Sequence, residues 1–174
     1  KGAVASDVTM RWLYIGTLAN QRDAALINWV EFQHPLIDGN LSLVIDVYGR
    51  ASERLKTYSK ALELSNSRIS IRILELVEQE RIPKMALNYH AGLQINAQCY
   101  PFLVSTKIYE YPALGLPTVS INYGGDIEIL IGRKIGVSVN LATNEDLLSL
   151  EDIRSELAKI KQGTLRVFAQ NNSW

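Results

Sequence analysis

The sequence predicts an α/β fold in which a parallel sheet of about six strands is covered by helices on both faces. Three observations predict it. Short apolar, β-branched runs recur near residues 14, 45, 71, 94, 119 and 137, with helix-like stretches between them. The first two runs close on a glycine, Gly16 and Gly49, where the chain would turn into a helix. The run W-L-Y-I is continuously apolar rather than alternating, as strands buried on both faces are. Strand–helix alternation of this kind implies right-handed crossovers.

The elements follow in order. Residues 12–16 read as the first strand, and a Gly16-Thr17-Leu18 turn leads to a helix over about 23–32. Ala25, Leu26, Trp29 and Val30 sit at helical spacing on its inner face. A glycine turn between strand and helix suits a phosphate, but the spacing is not G-x-G-x-x-G, so a dinucleotide site is not indicated. Residues 41–48 form the second strand, closed by Gly49, and a helix over 51–64 carries Leu55, Tyr58 and Leu62 inward. Arg50 and Arg54 follow that turn as solvated charges or phosphate ligands, and neither is retained as a site residue. Residues 69–74 form the third strand, and 78–88 a short helix with Pro83 in its first turn, where proline is tolerated. The fourth strand covers 91–96. His90, just before it, reads as a packed or capping residue, and His34 sits in a loop with no partner in view.

The most informative stretch is 105–130. Ser105, Thr106 and Lys107 open a helix, Glu110 lies one turn in, and Gly115 ends it. Pro112 removes a backbone donor inside that helix, so a kinked or very short helix is expected. Leu116-Pro117 turns the chain into a strand over 118–121. Gly124-Gly125 then forms a turn whose backbone can approach a ligand, and a helix is expected over 126–133. A sixth strand over 136–139 and one or two helices within 144–162 follow. Both polar clusters fall on the sheet edge where strands end, the edge at which such folds bind ligands. A helix N-terminus suits an anion, and Ser105, Thr106 and Lys107 add hydroxyl donors and a charge. The same residues also read as a plain helix cap with a solvated lysine.

The run S-T-K-I-Y-E-Y-P-A-L-G-L-P-T-V-S, followed by G-G-D-I-E-I-L, resembles the donor-binding signature of family 4 retaining glycosyltransferases. There a run of the type S-K-x-x-E-Y-x-A-x-G-x-P-V-I precedes a G-G-x-x-E turn. The match in order and spacing covers about thirty residues. The resemblance implies a GT-B architecture of two Rossmann-like halves facing across a cleft. This chain would be the half that holds the nucleotide-sugar: a Rossmann-like three-layer sandwich, a single domain over 1–174 taken from a longer protein. It further implies that Arg22 and Lys107 meet the donor diphosphate as the catalytic cations, with Gly16, Thr17, Ser105 and Thr106 around it. Glu110 would hold the ribose hydroxyls, Gly49 would face the donor, and the backbone at Glu75, Leu76 and Val77 would contact the base. Gly124, Gly125 and Asp126 would line the donor pocket, with Asp126 also readable as a helix cap. Three positions depart from the family, and Pro112 inside the helix is one of them. Thr17 stands where an arginine is expected, and Phe102 where many members carry a glutamate that meets the donor sugar.

Composition narrows the alternatives. The 174 residues carry 18 basic and 18 acidic side chains, so no clustered charge points to nucleic acid. A single cysteine, Cys99, rules out an internal disulfide, and with two scattered histidines no zinc site is expected. No apolar run is long enough to span a membrane. The activity the resemblance implies is hexosyl transfer with retention to a sugar or lipid-linked acceptor, in polysaccharide or glycoconjugate biosynthesis. No metal or other cofactor is expected. The partners are the donor and an N-terminal acceptor-binding half. The expected location is cytoplasmic, with any peripheral membrane contact made through that other half, and this half alone is expected to be inactive. Two rival classes remain: a nucleotide-sugar epimerase of the same architecture, and a non-catalytic nucleotide-binding domain.

Overall fold

The computed structural model of the chain describes residues 8–37, 39–100, 103–124, 134–143 and 147–172. Six parallel strands form one sheet in the order β3-β2-β1-β4-β5-β6. They are β1 (Val8–Ile15), β2 (Leu41–Tyr48), β3 (Ile69–Leu74), β4 (Ala91–Ile95), β5 (Thr118–Asn122) and β6 (Gly136–Asn140). The helices among the described residues are α1 (Arg22–Gln33), α2 (Glu53–Leu64), α3 (Ile82–Ala86), α4 (Lys107–Ala113), α5 (Leu150–Ala158) and α6 (Gln162–Asn171). The predicted α/β fold with a parallel sheet is the observed one.

The order reverses at β1, which pairs β2 on one side and β4 on the other. Right-handed crossovers therefore change sheet face between the two halves of the fold. One face is uniformly apolar. Met10, Trp12 and Tyr14 of β1, Leu43, Ile45 and Val47 of β2, and Leu93 and Ile95 of β4 pack there with Leu26, Trp29 and Val30 of α1. Leu55 and Leu62 of α2 and Ile153 and Leu157 of α5 belong to the same core. Trp12 and Trp29 meet with ring centroids 5.2 Å apart at the centre of it. Gln33, fully buried at the end of α1, donates from Nε2 to the Leu148 carbonyl and accepts from the Leu150 amide, both at 2.8 Å. Those two bonds tie the start of α5 to α1.

The opposite face is mostly polar. A smaller core there gathers Leu13, Ala86, Tyr89, Tyr111 and Leu116. Beside it Asp46, wholly buried, is paired with Arg72 at 2.6 Å and Arg11 at 2.9 Å and accepts the Tyr89 hydroxyl at 2.7 Å. Gln94, Asn96, Ser120 and Asn122 are also buried, and their amides and hydroxyls satisfy one another and nearby backbone.

One contact sets where α4 can lie. A Cβ at Gly92 would fall 2.1 Å from the Tyr111 ring, so the ring occupies the space that any side chain at 92 would take. The Tyr111 hydroxyl donates to the Leu93 carbonyl at 3.1 Å, and burial holds its pKa well above the ordinary phenol value. The other end of α4 is held by α6, where Phe168 stacks on Tyr109 at 5.9 Å.

Several elements differ from expectation. The first strand begins four residues earlier, at Val8, because its outer half pairs residue by residue with β2. The helix expected over 78–88 is a three-residue 3-10 turn, Gln79–Arg81, followed by the five-residue α3. Only Ala86 of that segment is buried, so little packing extends the helix. The second helix begins at Glu53 because Ser52 caps it, accepting the Leu55 amide. Helix α4 is short, as Pro112 predicted, at seven residues. The helix expected over 126–133 lies outside the described residues.

Two stability predictions come from this packing. Gly92→Ala should cost about 3 kcal/mol by forcing Tyr111 or the β4 backbone to move. Thermal melts should show it, with a smaller additional loss in the Tyr111→Ala background, since the clash is then gone. The second concerns acid. Burial pushes the Asp46 carboxyl up, but Arg72, Tyr89 and Arg11 outweigh it, so the folded pKa lies below the ordinary 3.8. Its contribution is full above the unfolded value and is lost as the pH falls through the folded one. Asp46→Asn should therefore lower the melting temperature at pH 7 and flatten its fall on the acid side.

Candidate functional site

The site is built where β1 and β4 end. β1 leaves the sheet at Gly16, with φ of +122°, and β2 leaves it at Gly49, with φ of +142°. A Cβ at Gly49 would sit 2.3 Å from the Gly16 carbonyl oxygen, so these two turns meet only because Gly49 lacks a side chain. The loops are then bonded to each other. Gly16 donates to the Tyr48 carbonyl, Leu18 to that of Arg50, and Ser52 to that of Leu18.

Two cations converge on this edge. Lys107, first residue of α4, reaches over the end of β1. A Cβ on Gly16 would lie 3.5 Å from Lys107 Nζ, and Nζ stands 5.3 Å from the centre of the Tyr14 ring. Arg22, first residue of α1, lies close enough to the Tyr14 hydroxyl to influence its ionisation. Burial lowers the Lys107 pKa. Glu110 partly restores it, and Arg22 depresses it further. Burial raises the Tyr14 pKa, with Arg22 acting in the opposite sense. The Tyr14 hydroxyl donates to the Thr17 carbonyl at 2.9 Å, which fixes the loop below the two cations.

The remaining predicted residues are placed as follows. Ser105 accepts the Lys107 amide at 3.3 Å, and the Thr106 hydroxyl donates to Glu110 Oε1 at 2.8 Å. The hydroxyl of Thr106 thus holds the exposed Glu110 carboxylate in place beside Lys107. Thr17 is exposed next to Gly16. Gly124, with φ of +85°, lies two residues beyond β5 and donates to Asn122 Oδ1 at 2.8 Å. Leu76 follows β3, two strands from β1, with 66% of its surface exposed. Gly125 and Asp126 lie outside the described residues. Arg54 ion-pairs with Asp23 at 2.8 Å, while Arg50 is exposed and contributes its carbonyl to the paired loops. The structure therefore brings Gly16, Gly49, Arg22, Lys107 and Glu110 into one neighbourhood, with Gly124 farther along the same edge and Leu76 at its far side.

Away from this edge, His90 Nδ1 accepts the Arg11 amide of β1 at 3.0 Å. His34, which showed no partner in the sequence, shares a hydrogen bond with Ser67. Among the described residues no three of His, Cys, Asp and Glu gather as metal ligands. No described helix is long and apolar enough to cross a membrane.

Sequence reasoning missed four contributors. Tyr14 reads as one more apolar strand residue, yet it sits under Lys107 and feels Arg22. Asp23, read only as the start of a helix, is 2% exposed. Asn122 and Asn140 end neighbouring strands at paired positions, and each accepts the amide two residues on. The only sequence signal for these two was an asparagine at the same end of two successive strands.

No family model matches the chain, and no curated protein matches it. Solved structures do. The lipopolysaccharide outer core galactosyltransferase WaaB, in its apo form, aligns over 94% of this chain and 46% of its own, with TM-score 0.58 and 16% identity. WaaG, a glycosyltransferase involved in lipopolysaccharide biosynthesis, aligns over 98% and 45%, with TM-score 0.59 and 12% identity. The C-terminal domain of a group 1 family glycosyl transferase, LpcC, from Francisella tularensis aligns over 93% and 81%, with TM-score 0.51 and 14% identity. The chain thus spans about half the length of WaaB and WaaG. Likeness at these identities speaks to the fold, and the fold it shows is a Rossmann-like half of the GT-B glycosyltransferase architecture.

Proposed function

We propose that this chain is the donor-binding half of a retaining, family 4-like glycosyltransferase. It would bind a nucleotide-diphosphate sugar for hexosyl transfer to a sugar or lipid-linked acceptor, in polysaccharide or glycoconjugate biosynthesis. The observation that carries the reading is Lys107 held over the Tyr14 ring, with Arg22 near enough to act on both Tyr14 and Lys107, at the edge where β1 and β4 end. Two cations brought together in a half-buried place repel each other and lose hydration. An anion bound between them reverses both costs. A pyrophosphate meets the demand with two negative centres, and Gly16 puts no side chain between the end of β1 and Lys107.

The chemistry follows from that placement. As the glycosidic bond breaks, negative charge grows on the leaving diphosphate. Cations already fixed there stabilise the transition state more than the ground state. Arg22 and Lys107 are the catalytic pair in this reading, and they provide the charge that a divalent ion would otherwise supply. Glu110, held by Thr106, accepts from the ribose hydroxyls. Gly49, Thr17, Ser105 and Gly124 shape the rest of the pocket, with Gly125 and Asp126 beyond it and the backbone at Leu76 toward the base. The acceptor site belongs to a second half of the protein, which also makes any peripheral membrane contact, and the reaction is placed in the cytoplasm.

Calorimetric titration with UDP and GDP tests the reading. One of the two should bind, and Lys107→Ala or Arg22→Ala should each weaken it about tenfold, as loss of one charge-assisted contact does. Because burial and Arg22 hold the Lys107 pKa below 10.5, affinity should fall as the pH rises toward that lowered value. Binding there should take up a proton, since the bound anion favours the charged amine. If neither nucleotide binds, the assignment fails.

A further inference from the structure

The loop that delivers Arg22 is strained. Asn20 and Gln21 are consecutive left-handed residues, with φ of 54° and 70°. Asparagine tolerates that region, but glutamine does not, and a non-glycine residue there costs about 1 kcal/mol or more. Gln21 is also the N-cap of α1, and its side chain makes no capping bond. By local preference the turn would relax and take Arg22 with it.

A buried carboxylate opposes this. Asp23 accepts the Ser52 hydroxyl at 2.5 Å and Arg54 Nε at 3.2 Å through Oδ2, while Arg54 Nη2 lies 2.8 Å from Oδ1. Ser52 is itself fixed, since its hydroxyl caps α2 and its amide donates to the Leu18 carbonyl. Leu18 and Ala51 form a single parallel bridge between the same two loops. Asp23 thus fastens the first turn of α1 to a rigid point on the neighbouring loop. Successive helical residues point about 100° apart, so with Asp23 turned to α2, Arg22 is directed elsewhere, toward Tyr14 and Lys107. Burial raises the Asp23 pKa, but Arg54, Ser52 and the Ala24 amide more than offset it, so the clamp is ionised at neutral pH.

We propose that Asp23, gripped by Ser52 and Arg54, is a positioning residue that holds the left-handed Asn20–Gln21 turn closed and so keeps Arg22 at the anion site. The proposal rests on the reading of Arg22 as a diphosphate ligand and adds to it the part of the chain that sets its place. It gives Arg54 a role distinct from a phosphate contact.

The test uses Asp23→Asn, Ser52→Ala and Arg54→Gln, each alone and each combined with Gln21→Gly. Glycine adopts the left-handed region freely, so it removes the strain that the clamp opposes. UDP and GDP titrations, thermal melts and amide hydrogen exchange over residues 18–22 are read together. The single variants should bind about fivefold to tenfold more weakly and exchange faster at 18–22, an effect of the size expected for one lost buried contact. Adding Gln21→Gly should recover affinity without recovering the melting temperature, which a purely structural role for Asp23 would not produce. Should Asp23→Asn fail to fold, Ser52→Ala and Arg54→Gln carry the test, because Arg54 is 57% exposed. Unchanged affinity and exchange in those two variants would overturn the clamp while leaving the donor reading intact. If the unaltered chain binds neither nucleotide, the donor reading falls, and exchange at 18–22 alone decides the clamp: no acceleration, or none reversed by glycine at 21, rejects it.

Discussion

The position of Lys107 depends on an absent side chain. Tyr111 fills the volume over Gly92 and anchors its hydroxyl on the next carbonyl of β4. With that ring seated, α4 has one place on the sheet, and Lys107, four residues earlier and one turn away, emerges over the end of β1. A short helix interrupted by proline has little stability of its own. Its placement comes from the Tyr111 notch at one point and from Phe168 against Tyr109 at another. The cationic site is therefore an outcome of apolar packing beneath it.

The two faces of the sheet divide the work. The apolar face, with Trp12 against Trp29 at its centre, supplies most of the burial and ties α1, α2 and α5 to the strands. Neither indole N–H finds a hydrogen-bond partner among the described residues, so packing there outweighs an unmet polar demand. The other face carries amides, hydroxyls and the Asp46 network, which are directional and fix geometry more than they add stability. Asn96, which reaches from the end of β4 to the Leu103 carbonyl, holds the segment leading into α4. Asn122 and Asn140 shape the turns that follow β5 and β6. The polar bonds nearest the candidate site thus lie at the strand ends that border it.

Much of the fold could be read from residues. Strands β2 and β3 match the reading to the residue, since each is a β-branched run bounded by turn signals. The weak points were local. Segment 78–88 has helix-forming residues but little to bury, so it closes into a 3-10 turn and a single short helix. The start of β1 carries Thr9 and Arg11, which dilute its apolar signal, and only pairing with β2 makes those residues strand. At the site, Lys107 was legible as a candidate because it opens a helix after a strand, and Arg22 only through the family resemblance. That Tyr14 links them was not legible, because a tyrosine in an apolar run carries no sign of which face it takes or what it meets.

Sequence alone determined the alternation of strands and helices, the parallel sheet, the glycines at strand ends and the edge on which polar residues would collect. These follow from short-range periodicity and from backbone freedom, which are properties of neighbouring residues. Tertiary structure alone decided that Gly92 makes room for Tyr111, that Gly16 and Gly49 touch, and that Asp23 is buried against Ser52 and Arg54. Each joins parts of the chain that lie in different elements, and such contacts exist only once the sheet order has brought β1, β2 and β4 side by side.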